Sequence, residues 1–317
     1  MPNPRFPVFI ASKGRWQHPI TMRALDAMQV PYRVIVEEAE ASFYALAVGS
    51  DRVLVLPKRY QDEYETCDEL GDTKSKGPGP ARNYAWDLSV EEGYPWHWVM
   101  DDNIRYFYRR NYQRRLHATT GTVLHAMEEF TLRYENIALA GPQYDKFVPD
   151  LQNGPPFILN TRIYSCILVR NDLPYRWRGR YNEDTDLSLR ALKDGWATVC
   201  FHAFLQGKIT TQTLAGGNTD EFYSREGTLP KSRMLVRMHP DVARLVWRYG
   251  RWHHQVNYRS FQHAARNQLR FRPDYVPEAE PNEMGMDLKV VKDVTSRRVR
   301  KLLRDTGRGD QLAETKP

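Results

Sequence analysis

The sequence predicts an α/β protein: a mixed sheet flanked by helices, followed by a basic helical extension at the C-terminal end. Three observations predict it. Over the first hundred residues, short apolar and β-branched runs alternate with amphipathic stretches, the order that parallel strands joined by helical crossovers require. After that the strand-like runs come closer together, as in antiparallel or mixed pairing. The chain of 317 residues is also long enough to bury one large core.

Taken in order, Arg5–Ser12 reads as the first strand, His18–Gln29 as an amphipathic helix and Tyr32–Glu38 as the second strand. Ala41–Val48 is a short helix and Arg52–Pro57 a third strand. Lys58–Pro80 is polar, has no apolar periodicity and ends in a Gly/Pro cluster, so it is predicted to be a mobile loop. A helix over Ala81–Gly93 and a fourth strand ending at Asp101 follow. Further on come a helix near Thr120–Tyr134, strands within 136–144, 157–171 and 197–211, and a helix starting at Asn182. No internal repeat is visible. Residues 1–225 are assigned to a catalytic domain, 226–284 to a basic, aromatic-rich extension packed on it, and 285–317 to a loose tail.

No stretch reaches the roughly 18 consecutive apolar residues that span a membrane, and the start runs straight into a strand pattern, so a soluble, cytoplasmic protein is expected. Cys67, Cys166 and Cys200 lie far apart in no metal-ligand spacing and are expected as buried, reduced thiols. The net charge of +7 is concentrated: residues 231–272 hold ten Lys or Arg against the single acid Asp241. Residues 104–115 add five arginines, four aromatics and no acid. Such local basicity suits a polyanion, and aromatic faces can stack on bases. Most of the rings in the second segment are nevertheless expected in the core, on amphipathic helices with solvated arginine faces.

Three clusters carry candidate chemistry. Asp101, Asp102 and Asn103 stand at a strand's carboxyl end, where open α/β sheets bind ligands, and adjacent acids there suit a hard divalent cation on pyrophosphate oxygens. Gly77–Asn83 joins a Gly/Pro loop to a helix start that favours anions, with Arg82 adding a fork of donors. In the third, Asn182 is the candidate N-cap for a helix whose first turn holds Glu183, Asp184 and Asp186; one of these carboxylates could serve as general base toward an acceptor hydroxyl. Each cluster also has an ordinary structural explanation.

Together, Phe9–Arg15, Val34–Glu38, Gly77–Asp87, Val99–Asn103 and Asn182–Gly195 resemble, in order and spacing, the GT-A glycosyltransferases over about Phe6–His202. The resemblance implies a Rossmann-like GT-A fold and a UDP-sugar donor. It assigns Ser12, Gly14, Arg15 and Glu37 to the nucleotide pocket, and Arg82, Asn83 and Asp101 to the donor. Asp102, helped by Asp101 or Asn103, is implied to bind Mn²⁺ or Mg²⁺; Asn103 stands where the family often has a second Asp, which leaves open which of Asp101 and Asp102 ligates the ion. Asp184 matches the acidic catalytic position beside Glu183, and His202 resembles an additional metal ligand of some members. More narrowly, these segments and Thr210–Asn218 resemble the TET-associated glycosyltransferases, encoded mainly by bacteriophages. That resemblance implies transfer, with inversion, to the hydroxymethyl group of 5-hydroxymethylcytosine in DNA, with the base flipped into the pocket. The alternatives are a GT-A enzyme with a protein or glycan acceptor, and a non-catalytic DNA-binding protein on the same fold.

Overall fold

The computed structural model describes residues 2–68, 75–111, 114–148, 155–209 and 228–274. The chain divides into a unit over Met1–Pro277 and a second, Glu278–Pro317, which lies outside the described residues together with the predicted tail. Strands β1 (Val8–Ala11), β2 (Arg33–Val36), β3 (Val53–Val55) and β4 (Trp96–Asp101) are the four expected from the apolar runs. They pair in parallel in the order β3-β2-β1-β4. Helices α1 (Ile20–Ala27), α2 (Ala41–Val48), α3 (Lys58–Asp62) and α4 (Gly79–Glu91) lie between them. The stretch predicted as one mobile loop therefore contains α3 and the first two residues of α4; a charged, five-residue helix carries too little apolar periodicity to be seen in sequence.

Beyond β4 the sheet becomes mixed. β5 (Ile104–Asn111) and β6 (Arg114–His117) form an antiparallel pair, and α5 (Thr122–Leu132) leads to β7 (Ile137–Tyr144), β8 (Phe157–Leu159) and β9 (Cys166–Arg170). α6 (Glu183–Lys193) precedes the long β10 (Ala197–Lys208). The sheet continues β4-β9-β7-β10-β5-β6, with β8 pairing on β10. β9 runs antiparallel to both β4 and β7, and β10 is parallel to β7. The carboxyl ends of β4 and β10 and the amino end of β9 therefore share one edge, which brings Asp101, Lys208 and Ser165 together from distant parts of the chain.

The main core packs α4 and α6 on the sheet through Trp86, Trp177, Leu187 and Ile167, all buried. Burying such side chains contributes roughly 1.5–3 kcal/mol each. Cys166 and Cys200 are buried thiols as expected, whereas Cys67 is half-exposed. Among the described residues no helix is long and apolar enough to cross a membrane.

The basic extension departs from the helical expectation. It begins with a helix, α7 (Leu229–Met238), then forms an antiparallel hairpin, β11 (Ala243–Arg248) and β12 (Arg251–Val256), and a short α8 (Arg259–Gln262). Its base is tied to α6, because Leu235 and Phe261 pack with Leu189 and Leu192 in a second apolar cluster. The rings expected in the core divide differently: Phe261 is buried and Tyr258 half-buried, but Trp247, Tyr249, Trp252 and Phe271 are exposed. Hairpin alternation, not helical periodicity, governs the first three. The turn places Tyr249 at φ 52 and Gly250 at φ 71, the left-handed pair that a two-residue hairpin turn needs and that an aromatic residue resists.

Candidate active site

A cleft of about 620 Å³ opens at that shared edge. Its lining combines six acids, Glu37, Asp62, Asp101, Asp102, Glu183 and Asp184, with six cations, Lys13, Lys76, Arg15, Arg82, Arg180 and Lys208. The three sequence clusters thus converge, and Asp102 and Asp184 face the same cavity.

Asp101 is the pivot. Its Oδ1 accepts from Arg82 Nη2 at 2.7 Å and its Oδ2 from Lys208 Nζ at 2.5 Å. Lys208 Nζ also donates to Ser165 Oγ at 2.7 Å. Burial alone pushes this carboxyl upward, but the Lys208 ammonium and the Arg82 guanidinium hold it well below the usual carboxylate range. Arg82, buried at the start of α4, also donates from Nη1 to Glu183 Oε1 at 3.0 Å and lies 4.7 Å over the Trp177 ring. Glu183 is lifted by burial to about 7, against the pull of Arg82 and with the push of Asp184.

Asp102 is arranged differently from its neighbour. Its two oxygens take Arg15 Nη1 and Ser12 Oγ, the latter at 2.8 Å. Burial raises its pKa despite both partners. The residue expected as the chief metal ligand is thus engaged by the β1 loop. Asn103 donates from Nδ2 to Ile209 O at 3.1 Å, while its buried Oδ1 has no hydrogen-bond partner. Among the described residues no three of His, Cys, Asp and Glu gather as a metal site. Both Asp101 oxygens are likewise taken, by Arg82 and Lys208, so a divalent ion at this carboxylate would have to displace one of those cations, with the orphaned Asn103 oxygen as a second donor.

Ser12, Arg15 and Glu37 line the cleft as expected, with Glu37 taking Lys13 at 3.2 Å. Gly14 does not line it; its N–H goes to the Glu40 carboxylate at 2.9 and 3.0 Å. Asn83 also turns elsewhere: Nδ2 donates to Trp177 O at 3.0 Å and Oδ1 accepts from Trp177 N at 2.8 Å. It pins the backbone of the residue on which Arg82 stacks, and contacts no part of the cleft lining. His202 is likewise away from it. It is not among the cleft-lining residues and sits on β10 at the irregularity between Phe201 and Leu205, which pair with the consecutive residues Pro142 and Gln143. Burial, with Arg110 nearby, lowers its pKa.

Asp184 also lines the cleft, half-exposed in the first turn of α6, with Oδ1 accepting from Thr185 N at 2.6 Å. Asn182 holds the N-cap position but in a left-handed conformation, and its side chain donates to Lys231 O at 2.9 Å instead of capping. Asp186, the third acid of that turn, is structural: fully buried, it is held by Arg178, Arg190 and His239.

Lys208 and Arg180 are among the charged residues of the cleft that the sequence did not single out. Lys208 was discoverable as a cation ending a long apolar strand, the same placement that identified Asp101. Arg180 gives no such signal; it is buried and ties Asp68 (2.6 Å) to Ser75 O (2.5 Å), closing the ends of the segment between them.

With this geometry in view, a family model described as TET-Associated Glycosyltransferase matches residues 6–217. The chain belongs to the TET-associated glycosyltransferase family. The match spans every cleft residue named above, from Ser12 to Lys208, and stops before the basic hairpin. No curated protein matches the chain. As a TET-associated glycosyltransferase the protein is an enzyme of sugar transfer, and the mixed sheet with its carboxyl-edge cleft is a GT-A-like architecture.

Proposed function

We propose that the enzyme transfers a sugar from a UDP-sugar to the hydroxymethyl group of 5-hydroxymethylcytosine in DNA, with inversion. The carrying observation is that Asp184 and Asp101 line one cleft, Asp101 set among cations and Asp184 in the helix turn whose Asn182 bonds to Lys231 of the basic extension. The uridine and ribose occupy the side lined by Ser12, Arg15 and Glu37, and the diphosphate reaches toward Arg82 and Lys208.

In the reaction, the acceptor oxygen attacks the anomeric carbon as the bond from that carbon to the diphosphate oxygen breaks. The bonding pair leaves with the diphosphate, and the acceptor proton passes to Asp184. Lys208 and Arg82 face the developing charge, both side chains largely buried, where fixed cations act strongly. Glu183 orients Arg82. A Mn²⁺ or Mg²⁺ ion, held by Asp101 and Asn103, would supply Lewis-acid stabilisation of the departing diphosphate.

Release of UDP in the presence of defined acceptors tests the reading. A duplex carrying 5-hydroxymethylcytosine should stimulate release from a matching UDP-sugar, while the same duplex with 5-methylcytosine should not. Stimulation by glycans or peptides, with none by the modified duplex, would contradict it.

A further inference from the structure

The β11–β12 hairpin carries two features that are unfavourable in isolation, next to an exposed aromatic pair. At its end, Arg248 stands directly across from Arg251, a like-charge cross-strand pair. One step inward Trp247 faces Trp252, their rings 5.3 Å apart and edge-to-face, with 60% and 38% of their surfaces exposed. Between the arginines the turn holds Tyr249 at φ 52 with 92% of its surface exposed. Asn in that position would serve the turn better. A partner offering both anionic oxygens and flat aromatic faces relieves the charge repulsion and covers the exposed rings at once, and nucleic acid is that partner.

The placement of the hairpin makes this functional. Its base is anchored on α6 through Leu235 and Phe261, the helix whose first turn presents Glu183 and Asp184. α7 links the turn end of the hairpin to the first turn of α6: Thr228, just before it, donates from Oγ1 to Trp252 O at 2.6 Å, and Asn182, beside Glu183, donates to Lys231 O at 2.9 Å. Six residues of strand carry the turn roughly 20 Å from that base. We propose that this hairpin is a wedge for duplex DNA: Arg248 and Arg251 bracket the backbone, and the Tyr249 ring enters the stack vacated by the base delivered to the cleft. Extruding a paired base leaves a gap whose filling offsets part of the unstacking penalty. The inference rests on the DNA reading above and adds the element that opens the duplex.

The test compares the full-length enzyme with its Tyr249→Asn and Tyr249→Phe variants. Asn suits the turn at least as well, so a loss cannot be assigned to misfolding, and Phe keeps the ring. Expected is a fall of at least tenfold for Tyr249→Asn in transfer to 5-hydroxymethylcytosine in a duplex. Its transfer to the same base in a single-stranded oligonucleotide should stay unchanged, and Tyr249→Phe should retain both. Equal duplex rates for Tyr249→Asn and wild type, or equal losses on both substrates, would overturn the wedge. If the wild type modifies neither substrate, the acceptor assignment fails, and 2-aminopurine fluorescence in an otherwise ordinary duplex judges the hairpin alone. A rise with wild type that is absent with Tyr249→Asn supports it; identical responses overturn it.

Discussion

Lys208 Nζ lies 2.5 Å from Asp101 Oδ2, joining the last residue of β10 to the last residue of β4. The two are 107 residues apart and meet because β9, running antiparallel between β4 and β7, returns the sheet to the same direction before β10 is added. In the proposed reaction the pair sets a cation where the diphosphate departs. Lys208→Ala should lower kcat by about 10²–10³-fold, the scale for removing one charge-stabilising donor. Steady-state kinetics checks it: a variant with normal kcat and only a raised KM would reduce Lys208 to donor binding.

Asp184→Asn removes the proton acceptor while keeping the shape of the α6 start. Sugar transfer should be abolished, and UDP-sugar affinity, measured by calorimetry, should match the wild type. Normal turnover in this variant would remove Asp184 from the role of base.

Glu183 gives a pH signature. Its folded-state pKa is raised by burial to about 7 from the model-peptide value of 4.5, so between these pH values the folded state binds more protons than the unfolded. Its contribution to stability therefore increases as pH falls from about 7 toward 4.5, and the increment is lost as pH rises through 7. Thermal melts of wild type and Glu183→Gln across that window should show wild type gaining on the variant as pH drops. A constant difference between them would mean that Glu183 does not titrate there.

Asn83 separates a structural role from a donor contact. Both ends of its amide are bound to the Trp177 backbone, and Asn83→Ala leaves those groups unpaired. Stability should fall by about 1–3 kcal/mol in urea denaturation, with UDP-sugar affinity nearly unchanged. A weakened donor affinity at unchanged stability would restore the donor-binding role that sequence alone suggests.

These residues show where sequence was informative. β1 to β4 are readable because buried parallel strands are short continuous apolar runs, and ligands at their carboxyl ends follow from the topology; hence Ser12, Glu37 and Asp101 were identifiable. Local spacing says nothing of side-chain direction, which is why Asn83 and Gly14 were placed in the cleft and turn away from it. His202 lies in an apolar strand as expected, but sequence does not show the irregularity of β10 at which it sits, outside the cleft lining. In the extension, alternating rings and arginines fit helix or strand, and the Tyr249–Gly250 turn lacks the Asn-Gly or Asp-Gly pair that marks a hairpin. The exposure of Trp247 and Tyr249 was for that reason invisible.

The central claim is that the cleft joining Asp101 to Asp184 glycosylates a hydroxymethyl group on DNA. Its most direct test is to incubate the enzyme with hydroxymethylated duplex, Mn²⁺ and a panel of UDP-sugars, digest the DNA, and weigh the nucleosides by mass spectrometry. The account predicts that the mass of 5-hydroxymethyldeoxycytidine shifts upward by one sugar residue with at least one donor, and that Asp184→Asn leaves it unshifted. An unmodified nucleoside with every donor, from enzyme that demonstrably binds UDP-sugar, would contradict it.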